Sequence, residues 1–67
     1  MNAKQEKILE FIKVYIALKG YPPTLREIAG AGGIASTSNV NYHLNIMVIE
    51  GIIERKFNSA RAIKVIE

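Results

Sequence analysis

The chain has 67 residues, a formal net charge of +3, 49% hydrophobic and 22% charged residues, and no cysteine. This is one domain over residues 1–67, near the small end of what folds alone. Its balance excludes a disordered segment, and no disulfide or thiolate metal site staples the core. No apolar run approaches the ~20 residues of a membrane span, and Met1-Asn2-Ala3-Lys4-Gln5-Glu6 lacks the apolar core of a signal peptide. A soluble cytoplasmic protein with no membrane partner is expected.

The hydrophobic pattern predicts a first helix from about Ala3 to Lys19. Ile8, Phe11, Ile12, Tyr15 and Ile16 recur at three- and four-residue spacing, which gathers them on one face. Leu9, Val14 and Leu18 are expected to widen that stripe, with Glu6, Glu10, Lys13 and Ala17 opposite. Gly20 is placed as a left-handed stop, and Pro22-Pro23 prevents the helix from continuing.

A second helix begins at Thr24, whose spacing to Glu27 is that of a capping box. Leu25, Ile28 and Ala29 form its apolar face. Gly30, Gly32 and Gly33 each disfavour helix by roughly 1 kcal/mol relative to alanine, so an end near Gly30 or Ala31 is expected. That leaves a turn Gly32-Gly33-Ile34-Ala35 with Ile34 packed inward. A third helix starts from Ser36 or Thr37, both good caps, and runs to about Glu50, where Gly51 stops it. Val40, Leu44, Met47 and Val48 are its expected buried stripe. Ser38, Asn41, Tyr42, Asn45 and Ile49 project on the other side, and no residue from Ser38 to Ile49 carries a fixed charge.

The tail alternates β-branched and polar residues over Ile52 to Lys56 and Arg61 to Ile66, a hairpin pattern turning at Asn58-Ser59-Ala60. Two short capped helices in succession outline a helix-turn-helix. With the hairpin the fold class is mainly α with a small β-hairpin, a three-helix winged helix-turn-helix.

Little in the chain supports catalysis. The one histidine, His43, has the helical phase of Val40 and Met47 and reads as a partly buried structural residue. No metal-ligand motif is present, and the glycines follow a helix instead of linking a strand to one, so they form a turn and not a phosphate cradle. No enzyme activity, cofactor or metal is expected.

Nucleic acid uses more of the sequence. Between Arg55 and Ile66 lie four basic residues, Arg55, Lys56, Arg61 and Lys64, and no acidic one. Such a block attracts a phosphate backbone, although the same residues also protect a sheet edge. An α-helix fits the major groove of B-DNA, where asparagine can pair with adenine through N6 and N7. Asn41 and Asn45 stand one turn apart, flanked by Ser38 and Tyr42. Reading by uncharged side chains requires phosphate attraction from elsewhere, which Lys4, Lys7, Arg26 and the basic hairpin supply.

Several separated segments resemble the DNA-binding domain of the LexA repressor family. They are Gly20 with Pro22-Pro23-Thr24, Glu27-Ile28-Ala29, Ser36 ahead of His43-Leu44, Gly51-Ile52-Ile53-Glu54 and Arg61-Ala62-Ile63-Lys64. The resemblance runs without gaps from Lys4-Gln5 to Val65. It implies sequence-specific operator binding and transcriptional repression in the SOS response. It also implies base-reading or adjacent roles for Ser36, Ser38, Asn39, Asn41 and Tyr42, joined by Asn45 from the helical phase. Thr24 completes the set expected at the DNA backbone. The chain departs from the family at Asn41 and Tyr42, where many members carry acidic side chains, which changes the expected operator and leaves the docking mode. Phe57 and Asn58 replace the small residues usual near the wing tip. LexA proteins continue into a self-cleaving domain that also dimerises and that these residues do not include. That fits a fragment as well as a complete small regulator of viral or mobile-element origin.

The expected partner is a duplex DNA operator, an inverted repeat bound by two copies as a homodimer. Tyr42, Ile46 and Ile49 lie outside the core stripe and form a candidate surface for self-association or another protein. The alternative is therefore a winged-helix interaction module that docks on a repressor or polymerase.

Overall fold

The computed structural model describes residues 2–56 and 63–66. They form α1 (Ala3–Lys19), α2 (Leu25–Gly32), α3 (Thr37–Ile49), β1 (Ile53–Arg55) and β2 (Ile63–Val65). The three helices pack around one core, and the two strands pair antiparallel, with Ile53 opposite Val65, Glu54 opposite Lys64 and Arg55 opposite Ile63. This is the architecture of a winged helix-turn-helix.

Each helix begins where a side chain satisfies its free N–H groups. Asn2 caps α1, with its Oδ1 accepting from Gln5 N at 2.8 Å and the Gln5 Oε1 accepting from Asn2 N at 3.3 Å. The expected Thr24–Glu27 box opens α2, with Glu27 Oε1 accepting from Thr24 N at 2.8 Å and Thr24 Oγ1 accepting from Glu27 N at 3.2 Å. Ser36 caps α3 through its Oγ, which accepts from Asn39 N at 3.2 Å. The far end of α3 closes as a Schellman motif. Gly51 N–H bonds the Val48 carbonyl, Ile52 N–H bonds the Met47 carbonyl, and Gly51 takes φ +76°.

α2 runs to Gly32, past the end expected at Gly30 or Ala31. Tertiary burial overrides propensity there. Gly33 adopts φ +66°, Ile34 N–H returns to the Ala29 carbonyl at 2.9 Å, and the Ile34 side chain enters the core across Gly32.

The core joins Ile8, Leu9 and Ile12 of α1, Ile28 and Ala29 of α2, Ile34 of the turn after α2, Val40, Leu44 and Met47 of α3, and Ile53 and Ile63 of the hairpin. Three residues expected to extend the helical stripes are exposed instead: Val14 at 45%, Leu18 at 78% and Val48 at 37%. At 3.6 residues per turn Val14 lies almost opposite Ile12, and Leu18 points well away from it. Val48 lies at one edge of the α3 stripe, and His43 fills the other edge, buried at 8% exposure.

These positions separate sharply in energetic consequence. Leu44→Ala should cost ~2–5 kcal/mol, comparable with the ~3–5 kcal/mol that a core of this size supplies, and leave the domain largely unfolded by circular dichroism at 25 °C. Val48→Ala should change the urea-unfolding free energy by no more than about 0.5 kcal/mol.

Candidate nucleic-acid interface

One side of α3 is fixed in the core, so the other side must face outward. Ser38, Asn39, Tyr42, Asn45 and Ile49 are exposed, and Asn41 is half-buried. Tyr42 also meets the His43 ring edge-on, with centroids 5.3 Å apart. Among the expected base-reading residues Ser36 has a local task, since its hydroxyl oxygen caps the helix. The proposed apolar cluster shares this outward side: Tyr42 and Ile49 are exposed and Ile46 is half-buried. Amides and apolar groups thus form a single face.

The hairpin reaches that face through Arg55. Its Nη1 donates to Asn41 Oδ1 at 2.7 Å and to Asn45 Oδ1 at 2.9 Å. A residue expected at the DNA backbone and two expected at the bases therefore meet in one hydrogen-bonded unit. The sequence did not disclose this contact, because β1 and α3 approach only once Ile53 and Ile63 are packed in the core.

The remaining described cations of the expected set are exposed on the other elements. Lys4 and Lys7 are exposed on α1 and border a groove with Gly32 and Ile34, beside the turn that leads into α3. Arg26 is exposed in the first turn of α2, while Thr24 is half-buried with its hydroxyl oxygen engaged by Glu27 N–H. Lys56 and Lys64 are exposed on the hairpin, and Lys64 stands opposite Glu54. Arg61, Phe57 and the expected turn Asn58-Ser59-Ala60 lie outside the described residues.

Two polar contacts that sequence reasoning missed tie the helices to one another. Buried Gln5 Nε2 lies 3.2 Å from Nδ1 of buried His43 and ties α1 to α3. The signal was available in Asn2-x-x-Gln5, a capping-box spacing. Across the molecule Tyr15 Oη donates to Glu27 Oε2 at 2.9 Å, joining α1 to the α2 cap.

The first 62 residues match the family model described as LexA DNA binding domain. The chain belongs to that family. It is 48% identical over 67 residues to a LexA repressor of Caldicellulosiruptor saccharolyticus, covering 100% of this chain and 33% of that protein. A LexA repressor of Exiguobacterium sp. is 46% identical over 66 residues, with 98% and 32% covered. One from Clostridium botulinum is 45% identical over 64 residues, with 96% and 32% covered. The chain thus spans about a third of the length of these relatives.

In this LexA-type domain the outward side of α3 contains no charge, and exposed basic residues lie on α1, α2 and the hairpin. Such a division suits a duplex, in which phosphates flank a groove of neutral base edges. Positioning by Gln5 gives a direct test. Gln5→Ala leaves His43 Nδ1 buried without this partner and removes half of the α1 capping box. It should cost ~1–3 kcal/mol, measured by urea denaturation, while His43 solvent protection by hydrogen exchange falls.

Proposed function

We propose that this domain binds duplex DNA sequence-specifically as the operator-reading part of a LexA-like transcriptional repressor. α3 lies in the major groove, Asn41 and Asn45 face base edges, and the hairpin holds the backbone. The observation that carries the reading is the uncharged amide-rich face of α3, joined by Arg55 of the hairpin, in a domain with exposed Lys4, Lys7, Arg26, Lys56 and Lys64 on its other elements. Ser38 and Asn39 stand at the start of that face, where recognition helices commonly meet bases. Tyr42 offers an apolar edge to a thymine methyl group.

A single domain of this size covers one half-site. Two copies on an inverted repeat would bind more tightly, because each adds its own phosphate and base contacts. The proposed setting is the nucleoid of a bacterial or virus-infected cytoplasm.

Selection from randomised duplex DNA at two salt concentrations tests this reading. An enriched half-site, recovered as an inverted repeat, is expected; binding without enrichment, or none at low salt, rejects sequence-specific recognition. Asn41→Ala should then cost ~1–3 kcal/mol at a single base position. Arg61→Ala should weaken every sequence alike and reduce the slope of log K against log salt by about one unit. Titrations on matched and mismatched half-sites would measure both.

A further inference from the structure

Arg55 constrains what Asn41 and Asn45 can offer a base. Its Nη1 lies 2.7 Å from one amide oxygen and 2.9 Å from the other. A guanidinium only donates hydrogen bonds, so both amides must turn their oxygens toward the hairpin. Each NH2 group then points away from Arg55. A free asparagine is ambivalent, since oxygen and NH2 together match the N6 donor and N7 acceptor of adenine. With the oxygens engaged by a cation, the pair presents donors, and positive charge sits beside them.

Resting on the DNA reading above, we propose that Arg55 is a positioning residue that sets the base preference of α3. It makes the Asn41–Asn45 pair select guanine over adenine in the major groove, and so a G·C pair over an A·T pair. Guanine offers N7 and O6 as two adjacent acceptors. Adenine offers N7 but sets its N6 amino donor beside it, against an amide NH2 group, an unfavourable meeting of donors. The asparagines touch the base, and Arg55 acts through them. The preference thus originates in the wing, fourteen residues from Asn41 and ten from Asn45 in sequence.

The experiment is selection from randomised duplex DNA with the wild-type chain, Arg55→Met, Asn41→Ala, Asn45→Ala and the Arg55→Met/Asn41→Ala double variant. Methionine retains an apolar stem of similar length, and thermal melting by circular dichroism confirms folding. Wild type should enrich G·C pairs at the contacted positions. Arg55→Met should move the position that Asn41→Ala affects toward an A·T pair by roughly tenfold. The same substitution should produce no such shift at that position in the Asn41→Ala background. If Arg55→Met does not fold, the single asparagine variants decide: each should lose the G·C preference at its own position. An A·T pair enriched there by the wild type would overturn the proposal. So would an Arg55→Met variant with unchanged base preference that binds all sequences more weakly and has a salt slope smaller by about one unit, the behaviour of a phosphate contact. Failure of the wild type to enrich any sequence is a separate result, which removes the DNA reading on which the proposal rests.

Discussion

Burial of one side of α3 is the constraint on which the rest of the domain depends. Val40, Leu44 and Met47 have no exposed surface, and residues from both other helices and both strands complete the cluster around them. With no cysteine to cross-link the fold, the helix that would read DNA must also be the central column of the core. Its orientation is therefore as rigid as the core is stable. The same constraint explains the distribution of charge. Cations are placed on α1, on α2 and along the hairpin, while α3 contributes amides, hydroxyls and apolar groups.

Polar contacts then fix the angles that apolar packing leaves loose. Gln5 uses its oxygen to close the α1 cap and its nitrogen to meet His43, so the start of α1 is tied to the middle of α3. Glu27 uses one oxygen for the Thr24 cap and the other for Tyr15. Each residue joins a local helix end to a distant helix, and the cost of burying polar atoms is offset by partners. Among the described residues no buried side-chain nitrogen or oxygen lacks a hydrogen-bond partner. The apolar cluster supplies most of the driving force, and these bonds select one relative placement of the helices.

Much of the fold was legible because its punctuation is local. Gly20, the Thr24–Glu27 box, Ser36 and Gly51 mark ends that depend only on backbone chemistry, and all four perform those tasks. Hydropathy alone was less reliable at the edges of the stripes. Val14, Leu18 and Val48 are as apolar as their buried neighbours, but the elements packed on each helix do not extend far enough around it to cover them. His43 and Gln5 show the opposite effect, polar residues buried because each provides the other's partner. The candidate site was legible as composition and helical phase, and the comparisons identify its family. Arg55 was not legible as part of the amide face, since its contact spans two elements whose approach is set by the core.

The chemistry of the Arg55 contact distinguishes it from an ordinary ion pair. A carboxylate at position 41 would also hold the guanidinium, but it would cancel its charge and present negative oxygen toward phosphate. Asn41 and Asn45 instead hold Arg55 through neutral carbonyl dipoles and contribute no compensating charge of their own. Sharing two oxygens also orients the guanidinium more tightly than one would, because both hydrogen atoms on Nη1 are directed. The result is a guanidinium oriented by two neutral side chains of α3. In a groove lined by base acceptors and flanked by phosphates, that placement gains electrostatic energy without requiring a charged residue on α3 itself.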